Sequence, residues 1–373
     1  MKTHSAPKVL ADVKQLTYFR IYKTQPSEQF GTIKLFSNGN QQCPIKVGFV
    51  AADAAGNPII LSDADAKKAL KLIHYDDGTA LGDDGDGYTF SFDKNTFTWN
   101  ESAIPVRQDG RPEASQALHD VSAADIQTYT LYVSANPGSS VLAVAARFDV
   151  TSTLFFTTHS SVDDPDGQGQ DGQFNSSVEV LLAEPPFLSA TDFGAASNGV
   201  VAGRKVGNSN YFYWATEYYL DPKLNGRALP LHSVGATAST TNAFGFFTHG
   251  GVFAKVKWAI SYYGQPGSAT ADTAGLPMTP LSTVDVALAD GSPRVEYSPS
   301  SMYDTCVGGI QGPNKNRVVI GILKGNLGGE FKDALGAYIS DVDSTTVHIM
   351  DAYGNDHTLS LSYDATADEL TIG

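Results

Sequence analysis

The chain has 373 residues, with 25 Lys plus Arg against 40 Asp plus Glu, giving a formal charge of −15. The charge balance argues against nucleic acid as a partner and disfavours an anionic membrane surface, because both call for a basic patch and no basic run occurs. Hydrophobic residues at 42% suffice for a real core, which excludes wholesale disorder, while 17% charge with 36 Gly reads as turn-rich β-structure rather than a helical bundle.

Apolar residues alternate over short runs, and turn signals recur between them, the pattern of antiparallel strands. Strands are predicted at 16–22, 32–36 and 45–50, with Ser37-Asn38-Gly39-Asn40 as a tight turn. Ser62-Asp63-Ala64-Asp65 is an N-cap signal, and Ala66, Leu70 and Ile73 recur at helical spacing, so one short helix is expected there. Residues 88–92 and 96–99 are predicted to pair across Asp93-Lys94-Asn95. A polar excursion over 101–126 follows, then strands at 128–133, 141–150, 153–158 and 176–182. Glu184-Pro185-Pro186 stops the pattern and stiffens the chain, placing a boundary between domains 1–184 and 187–373. Beyond it, strands are expected at 211–220, 243–248, 252–263, 283–288, 294–297, 317–323, 345–351, 357–363 and 369–372. No internal repeat has a stable period, which disfavours propellers and solenoids. The expected fold is all-β: two antiparallel β-sandwich domains, Ig-like or jelly-roll-like, with one short helix.

Three features carry functional readings. The acidic, Gly-rich stretch 163–172 offers Asp164, Asp166 and Asp171 as hard oxygen ligands on a turning backbone, the donor set calcium takes. No Glu closes it as in an EF-hand, and a solvated hairpin loop is the competing reading. Calcium is the one cofactor this implies, and 83–87 is a weaker version of the same pattern. The aromatic strand 211–220 places Tyr211, Tyr213, Glu217 and Tyr219 on one face, with Phe212, Trp214, Thr216, Tyr218 and Leu220 on the other. Tyrosines around one carboxylate suit stacking on sugar rings or a protein hot spot. The Ser/Thr-rich stretch 235–242 ahead of Phe244, Phe246 and Phe247 resembles a convertible transmembrane hairpin, against the plainer reading of a surface loop.

Other chemistry is thinly supported. By period two, His348 points away from the core and His357 towards it, so they do not converge on one metal. Cys43 and Cys306 are the only cysteines; a disulfide framework is excluded, and two buried free thiols are expected. No Gly-x-Ser-x-Gly, Walker, Gly-x-Gly-x-x-Gly or His-Glu-x-x-His motif occurs. Glu179, Glu184, Glu217 and Asp221 are the carboxylates a glycosidase on a β scaffold would draw on. The expected function is a non-enzymatic binding or assembly protein that recognises a glycan or protein receptor through aromatic strand faces. A glycan-active hydrolase using paired Asp and Glu is one alternative, and a secreted pore-forming or insecticidal-type toxin another. Oligomerisation is compatible with all three. Met1 to Lys8 lead into no apolar segment, so synthesis without a visible signal peptide is expected, with residence in the cytoplasm or release by a signal-independent route.

Overall fold

The computed structural model describes residues 9–82, 85–105, 114–115, 125–159, 174–205, 212–237, 258–264, 266, 271–272, 284–286, 295–297, 316–325, 344–364 and 369–373. The chain is mostly strand and divides into two compact units, Met1–Pro185 and Pro186–Gly373. Among the described residues no helix is long and apolar enough to cross a membrane.

Unit 1 contains β1 (Gln15–Tyr22), β2 (Glu28–Phe36), β3 (Cys43–Ala52), β4 (Pro58–Ile59), α1 (Asp63–Ala69), β5 (Leu70–His74), β6 (Tyr88–Ser91), β7 (Ala114–Ser115), β8 (Gln127–Ala135), β9 (Leu142–Asp149), β10 (Phe155–Thr157) and β11 (Ser177–Ala183). One sheet runs β1-β3-β8-β6, with β4 on β3; the other runs β10-β9-β11-β2-β7, with β5 on β9. The core lies between them, because alternate residues of each strand point inward. Phe148 of β9 meets Phe19 of β1 edge-on at 6.2 Å and Phe49 of β3 at 4.8 Å, so aromatic rings from both sheets interlock. Cys43 is fully buried and free, and burial pushes its thiol up to about 12, leaving it inert at neutral pH. Cys306 lies outside the described residues.

Three local expectations are corrected here. The helical spacing of Ala66, Leu70 and Ile73 extends past the real helix. Ser62 caps α1, its Oγ accepting from the Asp65 N–H at 3.1 Å, but the helix stops at Ala69 and Leu70 turns extended. Leu70–His74 then pairs with β9, Leu70 opposite Phe148, and buries Leu70 and Leu72 with Lys71 exposed. Tertiary pairing overrides a weak propensity. Residues 96–99 form no strand, because side chains take the places of a ladder: Asn95 N–H donates to Gln42 Oε1, Gln41 Nε2 to Thr98 O, and Trp99 Nε1 to Lys34 O. β6 pairs β8 instead. Finally, β11 joins β2 in parallel, Ser177 opposite Phe30 through Ala183 opposite Phe36, within an otherwise antiparallel sheet.

Unit 2 contains α2 (Ala190–Phe193), β12 (Ala195–Lys205), β13 (Phe212–Leu220), β14 (Lys223–Leu224), β15 (Arg227–Ala228), β16 (Leu231–Thr237), β17 (Trp258–Gly264), β18 (Ala271–Asp272), β19 (Val284–Val286), β20 (Val295–Tyr297), β21 (Val318–Gly325), β22 (Ser344–Asp351), β23 (Asp356–Asp364) and β24 (Glu369–Ile372). Its main sheets run β12-β13-β21-β17-β18 and β16-β22-β23-β24, with two-stranded β14-β15 and β19-β20 beside them. β12 and β16 carry no sequence signal of their own: Ala, Ser, Gly and Asn dominate the first, so neither aromatic nor β-branched enrichment marks it. The predicted strand 243–248 and residues 252–257 fall outside the described residues.

Candidate functional site

β13 lies between β12 and β21, with Tyr219 opposite Val319 and Leu220 opposite Val318. Thr216, Tyr218 and Leu220 are buried on one face, as the alternation requires. On the other face Glu217 is also buried, at 1% exposure, whereas Tyr219 is only partly covered. The strand is therefore covered on both sides in its middle and opens at its C-terminal end.

That end holds a linked polar and aromatic group. The Tyr219 hydroxyl donates to Glu217 Oε2 at 3.2 Å, and side chains two apart on one strand share the face needed for it. Arg317, the residue before β21, lies over the Tyr219 ring with its guanidinium carbon 4.5 Å from the centroid. It also forks onto Asp221, Nε to Oδ1 at 2.7 Å and the second nitrogen to Oδ2 at 2.9 Å. The Asp221 hydrogen bonds hold the guanidinium even more firmly protonated than usual. Side-chain exposures of 25% for Arg317 and 41% for Asp221 place the fork at the surface. Tyr219 is thus held at its hydroxyl from within and across one ring face by a cation that is itself fixed. Such a group can bind through its partly exposed ring and by hydrogen bonding along the guanidinium and carboxylate edges.

Tyr211 lies outside the described residues, and Tyr213 is placed only as a backbone position of β13. Alternation along the strand singled out Glu217 and Tyr219; Arg317 and the completed pair with Asp221 were missed. No local pattern links residues 96 apart, although a cation at the start of the partner strand is a signal once pairing is known.

Asp164, Asp166 and Asp171 lie outside the described residues. The base of their loop is described. Ser176 N–H donates to Thr158 O at 3.1 Å, and Thr158 Oγ1 accepts from Ala146 N–H at 2.9 Å. Tyr75 reaches this base through its hydroxyl, which donates to Asn175 Oδ1 at 2.7 Å, and its ring meets His159 edge-on at 6.5 Å. The weaker acidic stretch 83–87 lies, like Tyr75, in the β5–β6 connection. Asp86 within it is a turn clamp: it takes His74 Nε2 at 2.7 Å, Gly82 N–H at 3.1 Å and Tyr88 N–H at 2.8 Å. Burial opposes the charge on Asp86, but these hydrogen bonds outweigh it and hold its carboxyl below the usual range.

The C-terminal histidines separate by face. His357 is buried and shares a 3.2 Å hydrogen bond with buried Asp351, which also accepts from the Tyr353 and Asn355 N–H groups and fixes the β22–β23 turn. His348 is on the outer face, 3.2 Å from exposed Asp356. Among the described residues, no three His, Cys, Asp or Glu side chains converge as a metal site. No protein-family model matches the chain, and no curated protein is significantly similar to it.

Proposed function

We propose that the chain is a non-enzymatic binding protein that recognises a glycan or a protein receptor through the aromatic face read from Tyr211, Tyr213, Glu217 and Tyr219, of which β13 carries the last three. The observation that carries this reading is the immobilised Tyr219: a partly exposed aromatic ring held by Glu217, Arg317 and Asp221. Pre-set aromatic groups bind sugars and protein hot spots well, because little side-chain freedom remains to be lost. Hydrolysis is less well served by the same face. Glu217 is 1% exposed and its carboxylate already accepts from the Tyr219 hydroxyl, so it is poorly placed to reach a sugar.

The test is saturable retention of the purified chain on an arrayed panel of neutral and acidic glycans. Retention of a defined structural class is expected. Absence of any saturable signal contradicts the glycan assignment, and release of reducing sugar during incubation contradicts the non-enzymatic one.

A further inference from the structure

We propose that Asn225-Gly226, at the tip of the exposed β14–β15 hairpin, is a site of spontaneous deamidation that converts this turn to aspartyl and isoaspartyl forms while Asn38-Gly39 is protected. The chain has three Asn-Gly pairs, at Asn38, Asn198 and Asn225. Glycine is the partner this chemistry needs, because no side chain shields the attacking nitrogen. The Gly226 backbone nitrogen loses its proton and attacks Asn225 Cγ. The N–Cγ bond forms, the Cγ–Nδ2 bond breaks, and the amide nitrogen leaves as ammonia. Water then opens the five-membered imide at either carbonyl, giving aspartate or, with the chain rerouted through the former side chain, isoaspartate. Water is the only co-reactant.

The structure separates Asn225 from Asn38. Asn225 and Gly226 are the central residues of a two-residue turn, with φ of 53° and 76°, the type I′ geometry. Both are exposed, and the Asn225 side chain makes no hydrogen bond among the described residues. The ladder is two residue pairs long, Lys223 with Ala228 and Leu224 with Arg227, extended by one bond from Leu229 N–H to Pro222 O at 3.0 Å, and so short a hairpin opens locally at small cost. Asn38 is the opposite case. Its Oδ1 accepts from the Asn40 and Gln41 N–H groups at 2.9 and 2.8 Å, and Gly39 N–H, the attacking group, donates to Ala135 O at 2.8 Å. Gln41 is itself fully buried and anchored to Phe36 N–H and Thr98 O. Asn198-Gly199 lies within β12, at the register shift between paired Ser197 and Val200, and stands outside this contrast.

Conversion places a carboxylate between exposed Lys223 and Arg227. The isoaspartyl form also adds a backbone carbon that a two-residue turn cannot hold in register, so the hairpin loses its pairing. The experiment is timed incubation of the whole folded chain at mildly alkaline pH, with peptide mapping by mass spectrometry and isoaspartate detection by a specific methyltransferase. The Asn225 peptide is expected to gain one dalton several-fold faster than the Asn38 peptide, and the two rates to converge in denaturant. Asn225→Gly, which keeps a Gly-Gly type I′ turn, is expected to remove the signal from that peptide alone. Conversion of Asn38 at a rate equal to or above that of Asn225 in the folded chain overturns the proposal, as does an Asn225 peptide unchanged while the denatured control converts.

Discussion

Ser176 is a single hydroxyl with two duties. Its Oγ accepts from Ile21 N–H at 3.1 Å and donates to Phe174 O at 3.1 Å, and the residue is fully buried. Ile21 belongs to β1, in one sheet of unit 1, while Ser176 leads into β11 in the other, so one side chain rivets the sheets. Ser176→Ala strands a buried N–H, and a loss of about 1–3 kcal/mol is expected. A urea melt checks it, with a lower midpoint at unchanged slope; an unchanged midpoint contradicts the role. Nothing in Asn175-Ser176-Ser177 announces this, because the partner lies 155 residues away. Facing was more legible than covering. Period-two parity separated His348 from His357 and put Glu217 beside Tyr219, since alternation is a property of the strand alone. It could not show that Glu217 is buried, because that depends on what else packs over the sheet.

Elements show the same division. The signals for β1, β2, β3, β8, β9 and β11 were strong, because each is an apolar run bounded by turns. Leu70–His74 was misread because five residues fit a helical and a strand period equally well, and the deciding partner, β9, is distant. The connection after β5 also makes a titration test. Asp86 has a depressed carboxyl pKa despite the opposing cost of burial, and Asp149, bonded to Lys71 and Arg147, behaves likewise. A carboxyl depressed in the folded state contributes stability that is present above its unfolded value and lost as pH falls through the folded one. Stability should therefore decline from about pH 4 downward. Asp86→Asn should lower stability at neutral pH, and its deficit relative to the parent should shrink across that window. Thermal melts at several pH values read this, and a deficit independent of pH contradicts the assignment.

At the scale of the whole molecule, composition and turn spacing made the all-β class legible, and Pro185-Pro186 marks the join where the two compact units meet in sequence. The parallel β2–β11 pair was not legible, because an alternating strand reads the same in either direction. Calcium remains a proposal resting on Asp164, Asp166 and Asp171. A ligand that binds the native state alone stabilises it, by about 2.7 kcal/mol at a hundredfold excess over its dissociation constant. Melts with excess calcium and with chelator are expected to differ in midpoint, and identical midpoints end the proposal, leaving turn residues. Self-association is open to light scattering: a mass that rises with concentration would make the aromatic strands candidate subunit interfaces.

The central claim is recognition through the Tyr219 end of β13. It is tested most directly by titrating the retained glycan against the parent chain and against Tyr219→Ala, with melting midpoints measured alongside to separate binding from folding. Loss of the ring should weaken binding at least tenfold, which is about 1.4 kcal/mol, and Arg317→Lys, which keeps the charge but not the fork, should weaken it less. Equal affinity of the parent and Tyr219→Ala, with both folded, would contradict the claim.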